Sequence, residues 1–389
     1  MDKNNCDKPQ FSGEWVKLGD AFELRMGKTP SRKNMAYWRN GKYDWVSIAD
    51  LGAFDKYVAA TKEQISDAAI AESRIKPAPA NTVLMSFKLS IGKVAITRSP
   101  VFTNEAIMAL VDRGKYRIDP TFIYHQCKAK DWTAGSNTAV MGKTLNKKTL
   151  SETRIYLPGF ERQIQIAAEL DYLDEQIASA NAVSERLDAL VKSRFIEMFG
   201  NGKYPEYELG SRMKTISGGT PSRKHPEYYK DGLIPWLTSG EINKGKIEAP
   251  EYFITEEGLS HSSAKMTPAN SVVVAMYGAT AGQVGIVTYA TTTNQAVCCI
   301  APTAACNPAF LRFSLENRKK WMIRQCLGGA QPNISQGVIK KVRIPDAPLE
   351  SQESFASIVR RVDKLRFDVQ QQIDKLELLK SSLIQEYFG

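Results

Sequence analysis

Gly27-Lys28-Thr29-Pro30-Ser31-Arg32-Lys33 returns as Gly218-Gly219-Thr220-Pro221-Ser222-Arg223-Lys224, with Thr220 standing 191 positions after Thr29. The echo extends outward from this stretch. Leu18-Gly19 matches Leu209-Gly210, Trp45 matches Trp236, and Asn104-Glu105-Ala106 matches Asn294-Gln295-Ala296. Each half ends in a long helical pattern, closing on Met198-Phe199-Gly200 and Tyr387-Phe388-Gly389. A repeat of this length exceeds a solenoid unit and fits the size of a domain. The chain therefore reads as one module written twice, and a duplicated module suggests a duplicated target.

Composition narrows the class. The 389 residues are 43% hydrophobic, ordinary for a globular chain with two cores. The formal charge of +10 favours a polyanionic partner. Cys6, Cys127, Cys298, Cys299, Cys306 and Cys326 form no C-x-x-C pair, and His125, His225 and His261 lie far apart. That spacing argues against zinc and for buried, reduced thiols in a cytoplasmic protein. Met1 to Gln10 is polar, unlike a signal peptide, and no apolar run approaches a membrane span.

Two kinds of segment alternate. Turn-rich regions contain buried-strand patterns at residues 83–87 and 106–111, matched at 272–277 and 297–300. Asp119-Pro120 and Asn307-Pro308 each read as an N-cap followed by proline at the first helical position, with helices to about Lys130 and Cys326. Asn307-Pro308-Ala309-Phe310 approaches the Asn-Pro-Pro-aromatic motif of amino-methyltransferases, but its third residue is wrong and a cap is the better reading. Residues 161–198 then lack Gly and Pro entirely. Apolar residues recur there at Ile166, Leu170, Leu173, Ile177, Ala180, Leu187 and Val191. The second copy gives Phe355, Ile358, Val362, Leu365, Val369, Leu376, Leu379 and Leu383. These are heptad seams with polar breaks at Ser184 and Gln372, on helices of roughly 57 Å.

The expected fold is α+β: two homologous mixed domains separated by two long helices that pair as an antiparallel coiled coil, with a pseudo-twofold internal repeat. The expected boundaries are a flexible tail at 1–14, heads at 15–158 and 201–346, and helical regions at 159–200 and 347–389. Two heads related by a twofold suit two half-sites on double-stranded DNA. The shared turns, Thr29, Ser31, Arg32, Lys33 and Thr220, Ser222, Arg223, Lys224, supply hydroxyls and cations suited to phosphates. Base readers are expected where the copies diverge. In the first copy these are Ser47, Asp50, Lys88, Lys93, Lys143 and Asn146. In the second they are Thr238, Glu241, Tyr277, Thr280, Gln283, Gln331 and Asn333.

The order of these motifs resembles the specificity subunits of type I restriction-modification enzymes. It is carried by the Leu-Gly pairs, the Gly-x-Thr-Pro-Ser turns and Pro235-Trp236. It is also carried by Gly278-Ala279-Thr280-Ala281-Gly282, Thr293-Asn294-Gln295-Ala296 and Gln331-Pro332-Asn333-Ile334-Ser335. The first copy departs from this pattern at Asp44-Trp45, Lys88-Leu89-Ser90-Ile91-Gly92 and Asn104-Glu105. The resemblance implies two target-recognition domains that read a bipartite DNA sequence. It further implies a non-catalytic chain that docks two adenine-N6 methyltransferase subunits, with two restriction subunits added for cleavage. S-adenosylmethionine, ATP and Mg would then belong to the partners, and this chain would bind no cofactor. No Walker A loop or Gly-rich loop after a strand speaks for a cofactor here. A self-contained DNA nuclease and a coiled-coil protein adaptor are the competing classes. A gel shift with random-sequence duplexes separates adaptor from DNA reader.

Helices that set the distance between half-sites make a length prediction. A seven-residue insertion near Ala182 preserves heptad phase and lengthens the rod by about 10 Å, roughly three base pairs. Methylation-site sequencing should find unchanged half-sites and a longer spacer. An unchanged spacer with full activity would place distance control in the heads.

Overall fold

A computed structural model of the protein describes residues 12–88, 90–132, 145–200, 202–326 and 333–389. The chain divides into two compact units, residues 1–180 with 372–389 and residues 181–371. Each unit therefore holds one head, part of the helix that leaves or enters it, and part of the other copy's long helix.

In the first unit, Phe22–Met26, Ile107–Asp112, Val83–Ser86 and Val94–Ile96 form an antiparallel four-stranded sheet in that order. All of Val83–Ser86 is buried, which explains its unbroken apolar run. A smaller sheet orders Glu63–Ile65, Tyr43–Val46 and Phe102–Thr103, the last pair parallel. Gly13–Lys17 pairs with Arg154–Pro158 and ties the start of the head to its end. The second unit repeats this plan. Thr215–Ser217, Val297–Ile300, Ser271–Ala275 and Val284–Val287 form the main sheet, which gains a fifth, parallel strand at Lys246–Ile247. Phe253–Ile254, Ile234–Leu237 and Thr292–Thr293 form the smaller one, and Glu206–Glu208 pairs with Arg343–Pro345.

Proline at the first helical position starts both head helices, Pro120–Ala129 and Pro308–Asn317. Asp119 accepts from the Phe122 amide at 2.8 Å, and Asn307 accepts from the Ala309 amide at 2.9 Å. Asn307 is thus a cap, as expected. The second helix stops at Asn317 and a separate helix, Lys319–Arg324, follows, so the expected single helix to Cys326 is corrected. Arg318 at the junction leaves the helical region, with ψ near 2°.

The long helices span Phe160–Phe199 and Leu349–Phe388. Within the first unit, Asp174 pairs with Lys380 and Glu169 accepts from the Tyr387 hydroxyl. Rising numbers on one helix meet falling numbers on the other, so the segments run antiparallel. The second unit shows the same sense, with Asp188 paired to Arg366 and Phe195 against Phe355 at 5.3 Å. The head helices pack on these segments. Phe388 meets Phe122 edge-on at 5.5 Å, and Phe199 meets Phe310 edge-on at 4.8 Å. The echoed Phe199 and Phe388 endings therefore do one job twice. Each closes the core of the head belonging to the other copy.

Two further details differ from the sequence expectation. The head begins by Gly13, already in a strand, so the boundary at 15 is too late; residues 1–11 of the expected tail lie outside the described residues. Leu365 and Leu379 are half-exposed rather than paired, while Val359 and Ile373 are buried. The second column of the seam lies four rather than three residues after the first: Val359, Ile373 and Tyr387 are buried, with Arg366 and Lys380 at the seven-residue steps between them, so the heptad period is kept and one column moves by one position. Arg366 and Lys380 fall on the shifted seam, and their ends find Asp188 and Asp174.

Periodicity also passed over Gln163 and Gln352, which occupy the same place in the two long helices. Gln163 is buried; it accepts from the Asp119 amide at 3.0 Å and donates to the Pro158 carbonyl at 2.9 Å. Gln352 is buried too; it accepts from the Asn307 amide at 2.9 Å and donates to the Ala347 carbonyl at 2.8 Å. One amide thereby locks each head helix to the start of its long helix. Replacing Gln163 by Leu strands these buried backbone groups and should cost about 2–4 kcal/mol in denaturant unfolding. The exposed substitution Glu175→Gln should cost less than about 0.5 kcal/mol. Equal effects of the two would remove the latch from the account.

Candidate nucleic-acid interface

Three of the repeated motifs, scattered along each half of the sequence, converge at one place in each head. In the first, Lys28 donates its amide to the Thr103 carbonyl at 2.8 Å, and Asn104 donates its own to Val46 at 3.1 Å. In the second, Gly219 donates to Thr293 at 2.8 Å and Asn294 to Leu237 at 3.0 Å. The Thr-Pro turn, the tryptophan strand and the Asn-Glx-Ala turn thus form one bonded assembly. Gly27 and Gly218 lie so close to the carbonyls of Thr103 and Thr293 that a Cβ has no room at either position.

The shared tryptophans explain themselves here. The Trp45 indole donates to the Lys28 carbonyl at 3.2 Å, and Trp236 donates to the Gly219 carbonyl at 3.0 Å. Both rings are buried and pin the turn from beneath. A second aromatic crosses each edge-on: Trp38 on Trp45 at 5.0 Å, Tyr229 on Trp236 at 5.9 Å. Trp38 donates to the Ser31 carbonyl at 3.2 Å, and the Tyr229 hydroxyl donates to the Pro221 carbonyl. Thr29 donates to Glu105, and Thr220 bonds Gln295 in the same way. Trp38 and Tyr229 are not among the residues singled out from the sequence, and Glu105 and Gln295 stand there only as part of the repeat, not as site residues.

The remaining turn residues face outward. Ser31, Arg32 and Lys33 are exposed, as are Ser222, Arg223 and Lys224. Arg32 reaches Glu63 with both guanidinium nitrogens and lies over the Trp38 ring at 3.8 Å. The Glu63 hydrogen bond pushes its guanidinium still further toward the charged form. Arg223 instead borders an open groove of about 720 Å³, shared with Thr220, Tyr229, Trp236, Thr238, Tyr252, Asn294 and Gln295.

Several expected base readers have other employment, which corrects the sequence reading. Asp50 is buried and accepts from the Ser47 amide at 3.0 Å and hydroxyl at 2.7 Å, closing a capping box. Glu241 is buried and accepts from the Thr238 amide at 2.8 Å and hydroxyl at 3.1 Å. A second oxygen of each carboxylate takes a backbone amide, from Lys62 and Glu251. With both oxygens engaged and water excluded, neither acid is free to meet a base. Asn146 likewise caps the short helix Lys147–Glu152, with Thr149 returning the bond. Divergence between the copies here is Ser for Thr and Asp for Glu, which preserves the cap.

The others remain at the surface. Lys88 is half-buried over the Phe87 ring, and Lys93 lies against Gly52. Tyr277 and Asn333 are brought together by a backbone bridge, beside Thr280 in the turn Gly278–Thr280. Gln283 borders a different, polar cavity with Lys192, Arg312 and Arg366. Lys143 and Gln331 lie outside the described residues.

Among the described residues no group of three His, Cys, Asp or Glu could hold a metal ion, and no helix is long and apolar enough to cross a membrane. Cys127, Cys298 and Cys306 are buried free thiols pushed up to about 12 by desolvation. They stay protonated and unreactive at neutral pH.

Comparison with known proteins agrees with this architecture. The family model for the type I restriction modification DNA specificity domain matches residues 13–189 and again residues 201–378. The MjaIX specificity subunit of Methanocaldococcus jannaschii is 25% identical over 95% of this chain and 90% of its own. The EcoR124I/EcoR124II specificity subunit of Escherichia coli is 26% identical over 43% of each chain. The S subunit from M. genitalium shares the fold with a TM-score of 0.59 at 15% identity, covering 100% of this chain and 98% of the other. A chain from a structure describing assembly and conformational transition of a type I restriction-modification system gives 0.66 at 17% identity, over 98% of both. With the domain matched twice, the chain belongs to the type I restriction-modification specificity family, as a non-catalytic subunit with two target-recognition domains.

Proposed function

We propose that each head reads one half of a bipartite DNA target and that the long helices dock adenine-N6 methyltransferase subunits. The observation that carries this reading is the doubled interface. One scaffold of tryptophan, Thr-Pro turn and Asn-Glx turn is built in both heads, and both present Ser, Arg and Lys outward. Cations and hydroxyls on a fixed turn suit the phosphate backbone, and the +10 charge supports a polyanion over an acidic protein surface. The bases themselves fall to the divergent outer residues, of which Lys88 in the first head and Tyr277 with Asn333 in the second remain available.

The docking half of the proposal rests on apolar surface. Leu190 of the first long helix is 45% exposed, and Leu379, its counterpart in the second, is 49% exposed. Leu365, Phe367 and Leu378 of the second long helix are exposed as well. Large exposed apolar side chains on an ordered helix call for a protein partner. Equivalent leucines in the two copies suit two copies of one partner. S-adenosylmethionine, and ATP with Mg where restriction subunits join, would be bound by those partners in the cytoplasm.

Three outcomes test the proposal. Exchanging residues 13–158 for the head of a related subunit should change one half-site and leave the other, read by methylation-site sequencing. A change in both halves would contradict one head per half-site. Leu190→Asp with Leu379→Asp should weaken methyltransferase capture at least about tenfold in a pull-down titration while thermal unfolding is unchanged. Full capture by this variant would move the docking surface elsewhere. The purified chain alone should transfer no methyl group from S-adenosylmethionine to duplex DNA, and turnover matching that of its complex would make it an enzyme.

A further inference from the structure

The two heads are built alike, yet the arginine of the shared turn meets opposite surroundings in them. In the first head, the strand beside Trp45 places Glu63 directly across from it. Glu63 clasps both ends of the Arg32 guanidinium, while Trp38 covers its face at 3.8 Å. A second carboxylate, Glu105, is bonded to Thr29 on the same turn and adds its field to that of Glu63 at Arg32. Charge at this site is two acids to one arginine.

In the second head, the residue across from Trp236 is Tyr252, whose carbonyl accepts the Trp236 amide at 2.9 Å. Tyr252 is half-exposed and carries no charge. The counterpart of Glu105 is Gln295, neutral as well. Both acids are thus replaced, and the arginine is not. Arg223 forms no ion pair among the described residues and is exposed at the mouth of the groove. Around it lie the rings of Tyr229, Trp236 and Tyr252 and the amides of Asn294 and Gln295.

We infer that this groove of the second head is a seat for a phosphate of the DNA backbone, with Arg223 as its cation, and that the first head lacks the equivalent seat because Glu63 occupies Arg32. The inference rests on the DNA-reading proposal and sharpens it: the heads grip the backbone unequally at equivalent turns. An exposed cation without a partner gives its full charge to an incoming phosphate. A guanidinium already forked onto a carboxylate has its bidentate edge filled, and the phosphate meets the second acid, Glu105, besides.

The clasp is transferable, which makes the test sharp. The full chain is titrated with a pool of random-sequence DNA duplexes across a salt series, so that phosphate contacts are read without base contacts. Arg223→Ala should reduce the salt slope by about one and weaken binding about three- to tenfold. Arg223→Lys should keep the slope. Arg32→Ala should lower slope and affinity clearly less than Arg223→Ala does, because the Arg32 charge is already engaged by Glu63. Glu63→Gln should free Arg32 and steepen the slope by about one, and Tyr252→Glu should reproduce Arg223→Ala by building the clasp in the second head. Equal losses from the two Ala variants, or a silent Glu63→Gln, would overturn the unequal grip while leaving DNA binding intact. Failure of the unaltered chain to bind any duplex at low salt would instead overturn the DNA-reading proposal, and the seat with it.

Discussion

Phe388 against Phe122 and Phe199 against Phe310 are one contact made twice, and the rest of the fold depends on it. Neither head completes its core from its own copy of the repeat. The first takes Tyr387 and Phe388 from the end of the second copy's helix. The second takes Val191, Phe195 and Phe199 from the first copy's helix. Burying an aromatic ring of this kind is worth several kcal/mol, so the exchange of helix ends is a large fraction of a head's stability. It also explains why the module is duplicated inside one chain. A single copy would leave one apolar helix end and one open core.

Around this contact polar side chains take up backbone groups at the helix starts and turns. Gln163 and Gln352 hold each head helix by its cap, and the acids Asp50 and Glu241 hold the short turns after the tryptophan strands. Buried polar groups with full bonding fix geometry without adding much net stability. Their effect is to present the Thr-Pro turns and their cations at a set place on each head. Recognition then becomes a matter of what stands outside that frame. The Glu63 to Tyr252 change shows how one position alters the electrostatics of the surface while the scaffold stays the same.

Much of this was legible in the sequence for definite reasons. The repeat gave the module, unbroken apolar runs gave the buried strands at Val83–Ser86 and Val297–Ile300, and Asp119-Pro120 with Asn307-Pro308 gave the helix starts. The interface residues were harder. Ser47 with Asp50 looked like polar readers because a capping box and a recognition pair use the same side chains; only burial separates them. Leu365 and Leu379 read as seam residues because three- and four-residue steps fit a heptad equally well and leucine is more apolar than Arg366 and Lys380, which stand on the seam instead. Glu63 and Tyr252 went unpaired in the reading because the copies slip by two positions between tryptophan and neighbouring strand. Gln163 and Gln352 gave no periodic signal at all, being polar residues in a polar helix start.

Hydrogen exchange on a chain truncated after Gln371 tests the exchange of helix ends most directly. Removing residues 372–389 deletes Ile373, Tyr387 and Phe388 from the first unit and nothing from the second. Amides of Val83–Ser86 and of the helix Pro120–Ala129 should lose protection, while those of Ser271–Ala275 and Pro308–Asn317 keep theirs. Full protection of the first head in the truncated chain would contradict the account, because that head would then be closed by its own sequence.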